Sequence, residues 1–123
     1  MSYFADLSIY TYSKGFIHPK TYNIGWLDNK NLYPTGNTSD TFIDCLFEIC
    51  CSPVAQTRGW HSCPFCDEYP VEIHKNNQTL VLGSAEIMVQ GREIVYMAPN
   101  LIGHYVDAHK YCPPTDFIDA VVE

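Results

Sequence analysis

The sequence predicts an α+β fold: a small antiparallel sheet with about three helices, forming one domain over residues 1–123. Three observations predict it. Two segments beside prolines carry apolar residues at helical spacing, and three successive short segments read as strands. The chain is 46% hydrophobic and 14% aromatic over 123 residues, enough for one core and too short for two. That much apolar surface also sets the chain apart from disordered segments.

Residues 4–12 partly alternate, with Leu7, Ile9 and Thr11 opposed to Ser8, Tyr10 and Tyr12, which suits a strand. A second short strand is expected over residues 22–27. Asp28-Asn29-Lys30-Asn31 and Tyr33-Pro34-Thr35-Gly36-Asn37 then read as turn and loop. From Asp40 to about Cys51, the positions of Phe42, Ile43, Leu46, Phe47 and Cys50 form the stripe of a helix with one buried face. Ser39 or Thr38 caps its start and Pro53 stops it.

Residues 79–83, 85–89 and 93–97 follow as three strands of an antiparallel meander. The last two are joined through Gln90-Gly91-Arg92, where glycine is free to take a positive φ. Ala98-Pro99-Asn100 opens another helix with proline in its first turn, and Leu101, Ile102, Tyr105 and Val106 make its apolar stripe. After Pro113-Pro114 a last helix carries Phe117, Ile118, Val121 and Val122. Phe117-Ile118-Asp119 echoes Phe42-Ile43-Asp44, which we read as two helices meeting one packing problem.

The chemistry lies in two half-motifs. Cys63-Pro64-Phe65-Cys66 supplies two sulfurs, and His104-Tyr105-Val106-Asp107-Ala108-His109 supplies two imidazoles. This is the spacing of structural zinc sites, in which each pair grips the ion from one local turn. The expected ligands are Cys63, Cys66, His104 and His109, holding one structural Zn2+. Positions five apart lie roughly 140° around an ideal helix, so the histidines converge only if the helix ends or tightens near residues 107–109. Lys110-Tyr111-Cys112-Pro113-Pro114 favours such an end. The stretch between the half-motifs far exceeds the dozen or so residues of the small DNA-binding finger, so the metal staples a larger domain.

His61 and Cys112 are the substitute ligands. Cys45, Cys50 and Cys51 belong to the first helix and its end, where packing explains them. His18 and His74 sit in polar, turn-like surroundings and are expected to be exposed. A dithiol oxidoreductase reading of Cys63 and Cys66 meets Asp67, Glu68 and Pro70, which oppose a lowered thiol pKa and a following helix. A hydrolytic zinc needs an open position and a base, for which Asp67, Glu68, Asp107 and Glu86 are candidates. Carboxylates beside metal histidines more often orient an imidazole.

Seven basic against fourteen acidic side chains give a charge of −7, which disfavours a phosphate backbone as partner. No apolar run is long enough to cross a membrane. The N-terminus reads as lacking a secretory signal, which with six cysteines places the chain in the cytoplasm with reduced thiols.

Gly25-Trp26-Leu27-Asp28, Tyr33-Pro34-Thr35-Gly36, the stretch from Thr57 through Cys66, Leu82-Gly83-Ser84-Ala85-Glu86-Ile87 and residues 98–121 together resemble an uncharacterised bacterial domain family of this length. The resemblance implies a bacterial, intracellular, stand-alone domain and brings no activity. The functional expectation is a non-catalytic, acidic protein-binding domain with a structural zinc. Its partner would be a basic protein, as for a toxin-neutralising immunity protein, with contacts at Asp28, Tyr33, Asp67, Glu68 and Tyr69. The alternative is a small metal-dependent hydrolase or a dithiol oxidoreductase; Arg58 and Trp60, beside the knuckle, would line a pocket in any of these cases, and packing around the metal is their simpler role.

Overall fold

The computed structural model describes residues 3–10, 20–56, 61–66, 70–75 and 77–123. Their order is β1 (Thr21–Asn23), α1 (Asp40–Cys50), β2 (Ala55–Gln56), β3 (Val71–Lys75), β4 (Gln78–Leu82), β5 (Ala85–Gln90), β6 (Val95–Pro99), α2 (Ile102–His109) and α3 (Thr115–Val122). The α+β class holds. The larger sheet has the order β1-β6-β5-β2, and β3 and β4 form a separate hairpin.

The larger sheet is mixed. β1 runs parallel to β6, with Tyr22 opposite Tyr96, whereas β5 is antiparallel to both β6 and β2. The expected three-strand meander divides at Gly83, whose φ of 108° turns the chain out of β4 before β5 begins. β4 pairs with β3 instead, Ile73 lying opposite Leu80. β3 escaped the sequence reading because only Val71 and Ile73 are apolar, while Glu72, His74 and Lys75 make it look like loop.

Residues 4–10 form no strand. Leu7 adopts a φ of 68°, which breaks the extended run, and a single bridge joins Ile9 to Tyr22. Thr11 and Tyr12 lie outside the described residues. The strand expected over residues 22–27 is shorter, because Gly25 turns at φ 76° where a Cβ would stand 2.8 Å from Ile102 Cδ1. Pro99 closes β6 opposite Glu86 rather than opening a helix, so α2 starts later, after Leu101. In the β5–β6 turn it is Glu93 that takes the positive φ. Gly91 is required there for room, since a Cβ would lie 2.9 Å from the Tyr96 ring.

α1 follows the sequence closely. The Ser39 hydroxyl accepts the Phe42 N–H at 3.1 Å, Asp40 sits in the positive first turn, and Phe42, Leu46, Phe47 and Cys50 are buried. Phe42 meets Phe117 of α3 edge to face at 6.4 Å between centroids, and Phe117 in turn meets Tyr96 of β6 at 5.5 Å. The echoed Phe-Ile-Asp triplets thus put one ring each into the same contact. Each ring is fully buried, which stabilises the fold by roughly 1.5–3 kcal/mol. No helix among the described residues is long and apolar enough to cross a membrane.

Candidate metal centre

Residues 61–66 hang from the corner between β4 and β5. The His61 N–H donates to the Gly83 carbonyl at 2.8 Å, and the Gly83 N–H donates to Asn100 Oδ1 at 2.9 Å. A Cβ on Gly83 would lie 2.4 Å from the His61 carbonyl oxygen, so only glycine lets the two backbones approach this closely. From that anchor the chain turns through the knuckle, where the Phe65 N–H points at Cys63 Sγ at 3.4 Å.

The other half of the site is α2. His104 sits in its first turns and His109 is its last residue; Lys110 then adopts a left-handed φ of 57° and the helix stops. The expected end near residues 107–109 is therefore present. Two contacts hold it: the Tyr111 N–H donates to the Tyr105 carbonyl at 3.1 Å, and the Gly36 N–H donates to the Lys110 carbonyl at 3.0 Å.

All four expected ligand atoms converge, lying within 4.8 Å of one another. Cys63 Sγ is 3.3 Å from His109 Nε2, Cys66 Sγ is 3.4 Å from His104 Nε2, and the two imidazole Nε2 atoms are 3.2 Å apart. Zinc bonds of about 2.3 Å to sulfur and about 2.0–2.1 Å to nitrogen in a tetrahedron imply edges of about 3.6 Å between sulfur and nitrogen and about 3.4 Å between nitrogens. These three edges lie within about 0.3 Å of those values. The donor set, two thiolates and two imidazoles, suits a borderline-soft ion and not calcium or magnesium, which take oxygen.

An aromatic shell surrounds the ligands. The Phe65 ring lies 5.0 Å from Tyr33, 5.7 Å from Tyr105 and 5.4 Å from the His109 ring. The Tyr33 hydroxyl also donates to the His109 carbonyl at 3.2 Å, tying the loop before α1 to the last turn of α2. Cys63 and His104 are buried, Cys66 and His109 half-buried. Burial pushes the Cys63 thiol up to about 11; the Phe65 and Cys66 amides act the other way, and the Cys66 thiol adds to the rise. A metal entering here must displace the Cys63 proton, so its affinity rises with pH.

The substitute ligands stand apart from the cluster. His61 serves through its backbone at Gly83, and Cys112 Sγ faces the Pro113 carbonyl. Cys50 is fully buried, Cys45 half-buried and Cys51 exposed. His74 lies in β3, exposed as expected, but with Nδ1 2.9 Å from Thr79 Oγ1.

Of the candidate bases, Glu86 is buried and accepts the Tyr10 hydroxyl at 3.0 Å; burial raises its pKa, against the effect of that hydrogen bond. Asp107 is exposed on α2, beside β3. Asp28 organises its own turn by accepting from Lys30 N, Asn31 N and Asn31 Nδ2. Tyr33, one of the expected contact residues, is half-buried against Phe65 and Tyr111. His18, Arg58, Trp60, Asp67, Glu68 and Tyr69 lie outside the described residues.

A family model described as a domain of unknown function, DUF7919, matches residues 2–122. The chain belongs to this family. Comparison with curated proteins and with solved structures gives no match. The residues that position the Cys/His cluster, namely Gly83, Asn100, Phe65 and Tyr33, were not singled out for that role from the sequence. Gly83 carried a signal, a lone glycine between two strand patterns.

Proposed function

We propose that Cys63, Cys66, His104 and His109 hold one zinc ion whose role is structural, in a non-catalytic domain that binds a basic protein partner. The observation that carries the metal part is the convergence of four soft and borderline donors at tetrahedral spacing. Four protein ligands fill the coordination sphere, whereas a hydrolytic zinc keeps one position for water. Two imidazoles facing the thiols likewise suit ligation better than dithiol exchange, which works from a helix N-terminus.

The binding part is supported by the charge of −7. A rigid acidic face accelerates and orients capture of a cationic protein, and in a bacterial host it would suit neutralisation of a basic toxin.

Elemental analysis of the purified chain should find about one zinc per molecule, lost on replacing Cys63 or Cys66 with serine. A metal-free preparation whose melting temperature is indifferent to chelator would remove the metal assignment. Affinity capture from the native host should recover a cationic protein. Measurable turnover, with nothing recovered beyond chaperones, would reverse the ranking in favour of an enzyme.

A further inference from the structure

A second feature lies on the other side of α2 from its histidines. α1, β3 and α2 enclose a groove of about 210 Å³ whose walls are Ile43, Leu46, Phe47, Ile73 and Val106. Gly103 lies at its base, where a Cβ would be 3.3 Å from Ile73 Cδ1 and 3.5 Å from Cys50 Sγ. An apolar cavity of about 150 Å³ accommodates benzene, so this volume takes an alkyl chain of several carbons.

The mouth of the groove is charged and unbalanced. Lys75 lines it and pairs with Asp44, while Asp107 lines the facing wall. The Lys75 ammonium is held protonated above its ordinary range by Asp44, first through their hydrogen bond, with Asp107 and Asp40 adding to the effect. His74, also at the edge, has its Nδ1 against Thr79. Asp44, Asp107 and Asp40 thus outnumber the one ammonium in this neighbourhood, with Asp107 lining the groove itself and Asp44 paired to Lys75.

We propose that this groove receives the side chain of a lysine or arginine presented by a basic protein partner. The alkyl stem would lie against Ile73 and Val106 and the cationic head between Asp107 and Asp44. The proposal rests on the reading of the domain as an acidic binding module and locates the contact. Charge selects the occupant: Asp107, Asp44 and Asp40 leave the surroundings of Lys75 net negative, which disfavours an anion and offers nothing to a neutral alkyl chain.

The test is an NMR titration of the zinc-loaded protein with n-pentylguanidinium, 1-pentanol and pentanoate, following the methyl signals of Ile43, Ile73 and Val106. Saturable shifts with the guanidinium alone are expected. Asp107→Asn should weaken its binding about two- to fivefold, the range for an exposed ion pair. Lys75→Ala should tighten it by a similar factor, because the competing cation is gone; a purely structural Lys75 would not give that sign. Equal shifts with pentanol, or none with any probe, would overturn the proposal. Hexalysine distinguishes the two levels: if it binds while n-pentylguanidinium leaves these methyls unmoved, the groove assignment fails and the acidic-binder reading stands. If neither binds, both fall.

Discussion

α1 and α2 pack against the same core, yet they are specified in different ways. α1 carries its own instructions: Ser39 caps it, Asp40 meets its dipole, and its buried face repeats at helical spacing. α2 has no side-chain cap, contains Gly103, buries every residue from Ile102 to Val106 and ends on a lysine in left-handed conformation. A helix of eight residues is marginal by itself. Its stability comes from what surrounds it: α1 and β3 on one side, and the Cys63–Cys66 knuckle across the Cys/His cluster on the other. The helix that carries His104 and His109 is thus the one that depends on tertiary context.

Removing the proposed zinc should break this contrast most strongly. Ligation of a structural zinc contributes on the order of 10 kcal/mol in small sites. Chelation, or Cys66→Ser, should therefore abolish hydrogen-exchange protection in α2 and residues 61–66 before it reaches α1 and α3. Uniform loss across all three helices would show instead that they form one cooperative unit.

Gly83→Ala comes next. It forces a Cβ against the His61 carbonyl at a positive φ and should cost at least about 2 kcal/mol, with weaker zinc retention, because the knuckle is displaced from α2. Chemical denaturation and a zinc competition assay read the two effects. Unchanged zinc affinity would mean that the corner does not position the knuckle.

The contact between the two helices has its own signature in pH. Cys50 of α1 lies against Gly103 and the Asn100 carbonyl, and burial raises its thiol from the ordinary 9.0 to about 12, with the Gly103 amide opposing the shift and Cys51 adding to it. A folded-state pKa above the unfolded one contributes stability that is fully present below pH 9.0. That stability is lost as pH rises towards about 12. Denaturation midpoints should fall over that window, and Cys50→Ala should flatten the slope. An equally steep slope in the variant would assign the alkaline loss to other groups.

The smallest effect concerns α1 alone. Ser39→Ala removes the cap and should cost about 1 kcal/mol in thermal melts while leaving zinc content unchanged. A loss of zinc would show that α1 is coupled to the metal centre after all.

The legible parts of this chain were those whose cause is local. The stripe and cap of α1, the Phe117 helix and the clustering of Cys63, Cys66, His104 and His109 could all be read, since capping, helical period and motif spacing act within a few residues. Less legible was β3, whose Glu72, His74 and Lys75 masked a strand buried on one face. The parting of β4 from β5 depended on a glycine that serves His61, far away in sequence. Pro99 looked like a helix opener until its partner across the sheet, Glu86, was known.

By itself the sequence determined the fold class, the two amphipathic helices that bracket the core and the four donors offered to a metal. Tertiary structure alone decided that β1 would pair in parallel with β6, that α2 would stop at His109 and that Phe65, Tyr33 and Gly83 would hold the donors at bonding range. The physical reason is that helix periodicity and ligand spacing are short-range, while strand pairing and the close approach of two backbones depend on residues that meet only after the chain has folded.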